Sequence, residues 1–111
     1  MNVYDTVNKL AQELKDSKEY QEYKELKKLV KENSELNEKI KQFEELRYNI
    51  QILALQGQTP EKEQEQKLQE IYVELLQIEN VKKYFDAEFK FNVLLADVNK
   101  IIGDAVKDVL S

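Results

Sequence analysis

The residues that most readily end a helix are almost absent from this chain, and two of the three fall within four positions of each other. Of 111 residues, two are Gly and one is Pro, and Gly57 and Pro60 fall in a single short turn. On both sides the sequence is rich in Glu, Lys, Gln and Leu, which lose little side-chain freedom in a helix. The chain is therefore expected to be all-α. Gly57 suits the left-handed position just past a helix end. Thr59, Pro60 and Glu61 then offer an N-cap, a proline at the first helical position and early negative charge. The turn thus predicts a long antiparallel helical hairpin.

Caps and periodicity divide the rest. Val3, Val7, Leu10 and Leu14 recur at helical spacing from a start near Asn2 or Val3. Asp16-Ser17 ends that helix, and Ser17 can cap a second one carrying Tyr20, Tyr23, Leu26, Leu29 and Val30 on one side. Asn33-Ser34 is the next stop-and-cap signal. The hairpin's first arm, from Glu35 to about Gln56, has Leu36, Ile40, Phe43, Leu46, Ile50 and Leu53 along one face. Its second arm turns Leu68, Ile71, Tyr72, Leu75 and Ile78 inward. At Asn80 either a fifth segment is capped or the helix runs on towards Leu110; both readings stay open. The expectation is one helical domain over residues 1–111, two short N-terminal helices preceding the hairpin.

Two stretches are too apolar for a lone hairpin. Stepping about 100° per residue from Val81, the apolar side chains from Val81 to Val109 spread over most of the wheel, wider than the stripe a surface helix needs. Tyr48, Ile52 and Leu55 sit opposite the main stripe of the first hairpin arm, leaving its last turns apolar on both sides. Homo-oligomerisation through these two stretches is the preferred explanation, completing a helical bundle; the alternative is that the short N-terminal helices cover them. The candidate interface residues are Tyr48, Ile52, Leu55, Phe85, Glu88, Asn92, Leu95, Asn99 and Ile102. Glu88, Asn92 and Asn99 lie within about 40° of one another on the wheel. Polar groups inside an apolar arc need partners, so they are expected either to bond across helices and fix alignment or to sit at its wet edge.

Chemistry is constrained by what is missing. The chain has no His and no Cys. A serine triad, a Glu-x-x-His di-iron site and thiolate-held zinc or iron–sulfur clusters are therefore excluded. Gly57 and Gly103 alone cannot build a glycine-rich phosphate loop. Carboxylates four apart, Glu61 with Glu65 and Glu70 with Glu74, read as solvated helix faces. No catalytic, cofactor-binding or metal-ligating residue is expected.

Partners are constrained by charge. Seventeen basic against 22 acidic residues give a net −5, which disfavours duplex DNA and anionic membranes. No stretch approaches the roughly 20 apolar residues that span a bilayer, and the start lacks a signal-peptide pattern. A cytoplasmic location is expected. Lys24, Lys27, Lys28 and Lys31 beside Tyr20 and Tyr23 could serve RNA, but Glu22, Glu25 and Glu32 interleave, which favours core packing with ordinary ion pairs.

Several short segments together resemble the YlbF/YmcA family of small helical bacterial proteins, most closely its YheA-like branch. They are Tyr4-Asp5 with Leu10 and Leu14, Ser17-Lys18-Glu19-Tyr20, Phe43, Gln51, the Gly57 turn, Glu88-Phe89, and Val98-Asn99-Lys100-Ile101-Ile102. The resemblance implies an all-helical, cytoplasmic, self-associating protein of Gram-positive-type bacteria. Better-known relatives regulate competence, biofilm formation and sporulation, within a complex that helps direct RNA processing, and hold iron–sulfur clusters by Cys. Without Cys, no cluster ligand carries over to this chain.

The reading is a non-catalytic, self-associating helical protein that serves as a protein-interaction or regulatory subunit, its partners being itself and another protein of a regulatory complex. The rivals are a prefoldin-like helical-hairpin chaperone, which would need strand near the hairpin middle, and an RNA-processing accessory factor.

Overall fold

A computed structural model of the chain describes residues 2–110. Five helices follow one another, α1 (Val3–Asp16), α2 (Lys18–Glu32), α3 (Ser34–Leu55), α4 (Lys62–Leu76) and α5 (Glu79–Leu110), and no strand occurs among the described residues. The middle of the hairpin is helix on both sides of a short irregular turn over residues 56–61, without the strand a prefoldin-like chaperone would require.

The breaks fall where short polar side chains can replace lost backbone bonds. Asn2 Oδ1 accepts from the Tyr4 N–H at 2.9 Å, Ser17 Oγ from Tyr20 at 3.2 Å, and Asn33 Oδ1 from Leu36 at 3.2 Å. Past α3, Gly57 takes φ +74°. The Gly57 N–H donates to the Ala54 carbonyl at 3.1 Å and Gln58 to Leu53 at 2.9 Å, the paired bonds of a Schellman C-terminus. The start of α4 differs from expectation. Glu61, not Thr59, is the N-cap, and Pro60 lies outside the helix. The Glu61 N–H donates to Gln64 Oε1 at 3.2 Å. The Glu61–Gln64 pair therefore does what Thr59 was expected to do, because a glutamine three residues past the cap can reach back to it.

The question at Asn80 is settled as a fifth helix. The chain breaks at Gln77-Ile78, and the Ile78 carbonyl accepts from Val81 at 3.1 Å and Lys82 at 3.0 Å. Asn80 lies inside the first turn of α5 and does not cap it.

The chain forms two compact units, one comprising Lys27–Lys83, the other the residues up to Leu26 and from Tyr84 onward. In the first, α3 and α4 run antiparallel, since Lys39 pairs with Glu74 while Phe43, one turn later, meets Tyr72. Val30, Ile40, Phe43, Leu75 and Val81 are its buried residues. The Phe43 and Tyr72 rings stack at 5.7 Å and the Arg47 guanidinium lies 5.3 Å from the Phe43 centroid. The Glu74 carboxylate, by hydrogen bond and then by charge, holds the Lys39 ammonium above the ordinary lysine range.

Candidate interaction surface

In the second unit α5 carries two apolar seams, and they differ in what covers them. The first follows Tyr84, Ala87, Phe91, Leu94 and Val98, alternating steps of three and four; Tyr84 and Ala87 are buried and the others half-buried. Aromatic residues of α2 pack on it. Tyr20 meets Phe91 edge-on at 5.7 Å, and Tyr23 lies 5.7 Å from Tyr84 and 5.9 Å from Phe91. Edge-to-face and offset rings at this spacing are favourable beyond their area.

The second seam follows Phe85, Glu88, Asn92, Leu95, Asn99, Ile102, Val106 and Val109, again in steps of three and four. This is the a/d repeat of a coiled coil. Phe85 and Glu88 are half-buried, and Tyr23 Oη donates to Glu88 Oε2 at 3.3 Å. From Asn92 on, every residue of the seam is exposed, reaching 51% at Ile102 and 82% at Val109. Val3, Tyr4 and Val7 of α1, which has no buried residue, are likewise exposed in the same unit.

The polar side of the first half of α5 carries local ion pairs, Lys83 with Glu79 and Lys90 with Asp86. Lys90 Nζ reaches Asp86 Oδ2 at 3.1 Å, and that hydrogen bond, then the charge, raises the Lys90 ammonium above its ordinary value. Beside it a shallow groove is lined by Glu19, Phe89, Lys90, Val93, Leu94 and Asp97.

The residues named from sequence fall into two sets. Phe85, Glu88, Asn92, Leu95, Asn99 and Ile102 all lie on the second seam of α5. Tyr48, Ile52 and Leu55 belong to α3 in the other unit, Tyr48 and Leu55 exposed and Ile52 half-buried. Sequence reasoning missed Phe89 and Val93. Phe89 enters only through the Glu88-Phe89 segment of the family resemblance and Val93 not at all, yet both are exposed apolar residues four positions apart on α5. Lys24, Lys27, Lys28 and Lys31 are all exposed along α2.

Among the described residues no cluster of three or more acidic, His or Cys side chains could hold a metal, and no helix is long and apolar enough to cross a membrane. What the second seam can do is bury apolar area against another helix, each fully covered Leu, Ile or Val contributing about 1.5–3 kcal/mol.

The family model described as "Control of competence regulator ComK, YlbF/YmcA" matches residues 3–107. The chain belongs to the YlbF/YmcA family. Within reach of this YlbF/YmcA chain, a UPF0342 protein of Staphylococcus epidermidis is 35% identical over 109 residues, covering 98% of this chain and 96% of its own. One from Symbiobacterium thermophilum is 34% identical over 104 residues, at 94% and 93% coverage. Of solved structures, a protein of unknown function (DUF964) from Bacillus stearothermophilus superposes with TM-score 0.82 at 13% identity, covering 96% of this chain and 94% of its own. Bacillus subtilis RicA, solved in complex with RicF, superposes with TM-score 0.63 at 23% identity, covering 98% and 96%. The fold of this YlbF/YmcA protein is thus shared with a chain that was solved bound to another protein.

Proposed function

We propose that this protein is a non-catalytic interaction subunit that self-associates through the open seam of α5 and contributes an assembled helical surface to a cytoplasmic regulatory complex. The observation that carries the reading is the exposure of Ile102, Val106 and Val109 on a regular a/d repeat. A monomer in water gains nothing from such a repeat. Membership of a family described by competence control supports the regulatory part, and RicA's solution with RicF supports a protein as the second partner.

Light scattering on the purified chain tests self-association; a monomer at micromolar concentration would count against it. Crosslinking in the native cell followed by mass spectrometry tests the second partner. Crosslinks between one defined protein and Lys100 or Lys107 support the reading, and crosslinks confined to α3 and α4 refute the choice of surface.

A further inference from the structure

We propose that α5 pairs with α5 of a second copy in parallel and in register, so that Asn92 meets its own counterpart and Asn99 does the same. This rests on the self-association read above and adds its geometry.

The repeat assigns the positions. Leu95 follows Asn92 by three positions and Asn99 follows Leu95 by four, so Asn92, Asn99 and Val106 are a positions, while Leu95, Ile102 and Val109 are d positions. In a parallel pair each a residue faces the same residue of the other helix. An Asn amide holds one carbonyl acceptor and one NH2 donor, so two copies facing each other across a two-fold axis satisfy each other. In the antiparallel alternative a faces d. With the axis beside Asp97, Asn99 would then oppose Leu95 and Asn92 would oppose Ile102, and each buried amide would face a hydrocarbon. Two consecutive a-position Asn residues therefore select an identical, parallel occupant over an antiparallel copy or an unrelated apolar helix.

Two neighbouring features agree. The e positions beside the seam include Ala96 and Gly103, and a Cβ placed on Gly103 would meet nothing within 4 Å in the single chain. A glycine in mid-helix weakens the helix, and no contact within the chain explains it; a close second helix does. At the other end Glu88 is a d residue, and parallel register would set two carboxylates face to face. The Tyr23 hydroxyl holds Glu88 within its own chain, which places the start of the paired part of the seam at Asn92, where its exposure begins.

The absence of Cys makes the test clean. Leu95→Cys and Ile102→Cys are made singly, leaving both Asn residues in place, and oxidised mildly alongside Lys100→Cys, which lies off the seam. Disulfide-linked dimers from each seam variant, well above the Lys100→Cys background, are expected. Linkage only between a mixture of Leu95→Cys and Asn99→Cys would mean antiparallel pairing and overturn the proposal. Dimers by light scattering with no seam linkage would overturn the seam while leaving self-association standing; monomers would overturn both. Asn99→Leu is the second arm, expected to change the oligomer mass or its melting. If both stay as in the parent chain, the Asn residues do not set the register.

Discussion

The hydroxyl of Tyr23 reaches Glu88 at 3.3 Å across 65 positions of sequence, joining α2 to α5 at the point where the covered seam gives way to the open one. Tyr23 also packs its ring against Tyr84 and Phe91, so one side chain serves both packing and polar satisfaction. Tyr23→Phe keeps the ring and removes the hydroxyl. It is expected to lower unfolding free energy by about 1 kcal/mol, the net worth of one hydrogen bond. Urea denaturation followed by circular dichroism measures it, and no loss would mean the bond is replaced by water.

The hairpin core offers a sharper contrast. Leu75 has no exposed surface whereas Leu55 is 83% exposed. Leu75→Ala should cost about 2–5 kcal/mol, transfer and cavity together. Leu55→Ala should stay within about 0.5 kcal/mol in the unassociated chain. Parallel melts of the two variants check both values, and equal losses would contradict the burial pattern.

Gly57 carries the α3 terminus at positive φ with open space around its Cα, so a substitution there is strained by conformation alone. Gly57→Val is expected to destabilise by about 1–2 kcal/mol through the left-handed backbone. Gly57→Asn should recover much of that, since Asn tolerates this region. A ranking of Gly, then Asn, then Val in melting temperature is the expected result.

The pH response follows from which groups titrate. With no His, no side chain has an ordinary pKa between about pH 6 and 9. Lys39 and Lys90 are raised by Glu74 and Asp86. A raised lysine contributes its stability fully below the unfolded value of about 10.4 and loses it as pH climbs through the higher folded value. Melting temperature is thus expected to be flat from about pH 6 to 9 and to fall only above about pH 10. A step near neutrality in calorimetry would refute this.

Much of the fold is legible in the sequence because the chain marks its own boundaries. Asn33 and Ser17 cap as their chemistry dictates, Gly57 turns as only a residue without Cβ readily does, and the stripe from Leu36 to Leu53 is buried or half-buried throughout. What escaped depended on competition among neighbours. Thr59 yielded the cap to Glu61 because Gln64 could reach back to it, a contest that residue types alone do not decide. The α4–α5 break falls at Gln77-Ile78, where no side chain announces it. For the surface, the wheel located the apolar arc of α5. It could not tell which of two adjacent seams α2 would cover, since both have the same period; the aromatic contacts of Tyr20 and Tyr23 decide that.

Beyond Val98 every described residue of α5 is exposed. Three turns of helix there bury no side chain, and a helical stretch of that length without a buried face is marginal in water. Amide protons from Asn99 to Leu110 should therefore exchange fast in dilute solution and slowly when the chain is concentrated. Under the proposed self-association, order in this arm is a property of how many chains are present, and its folding is one with its assembly.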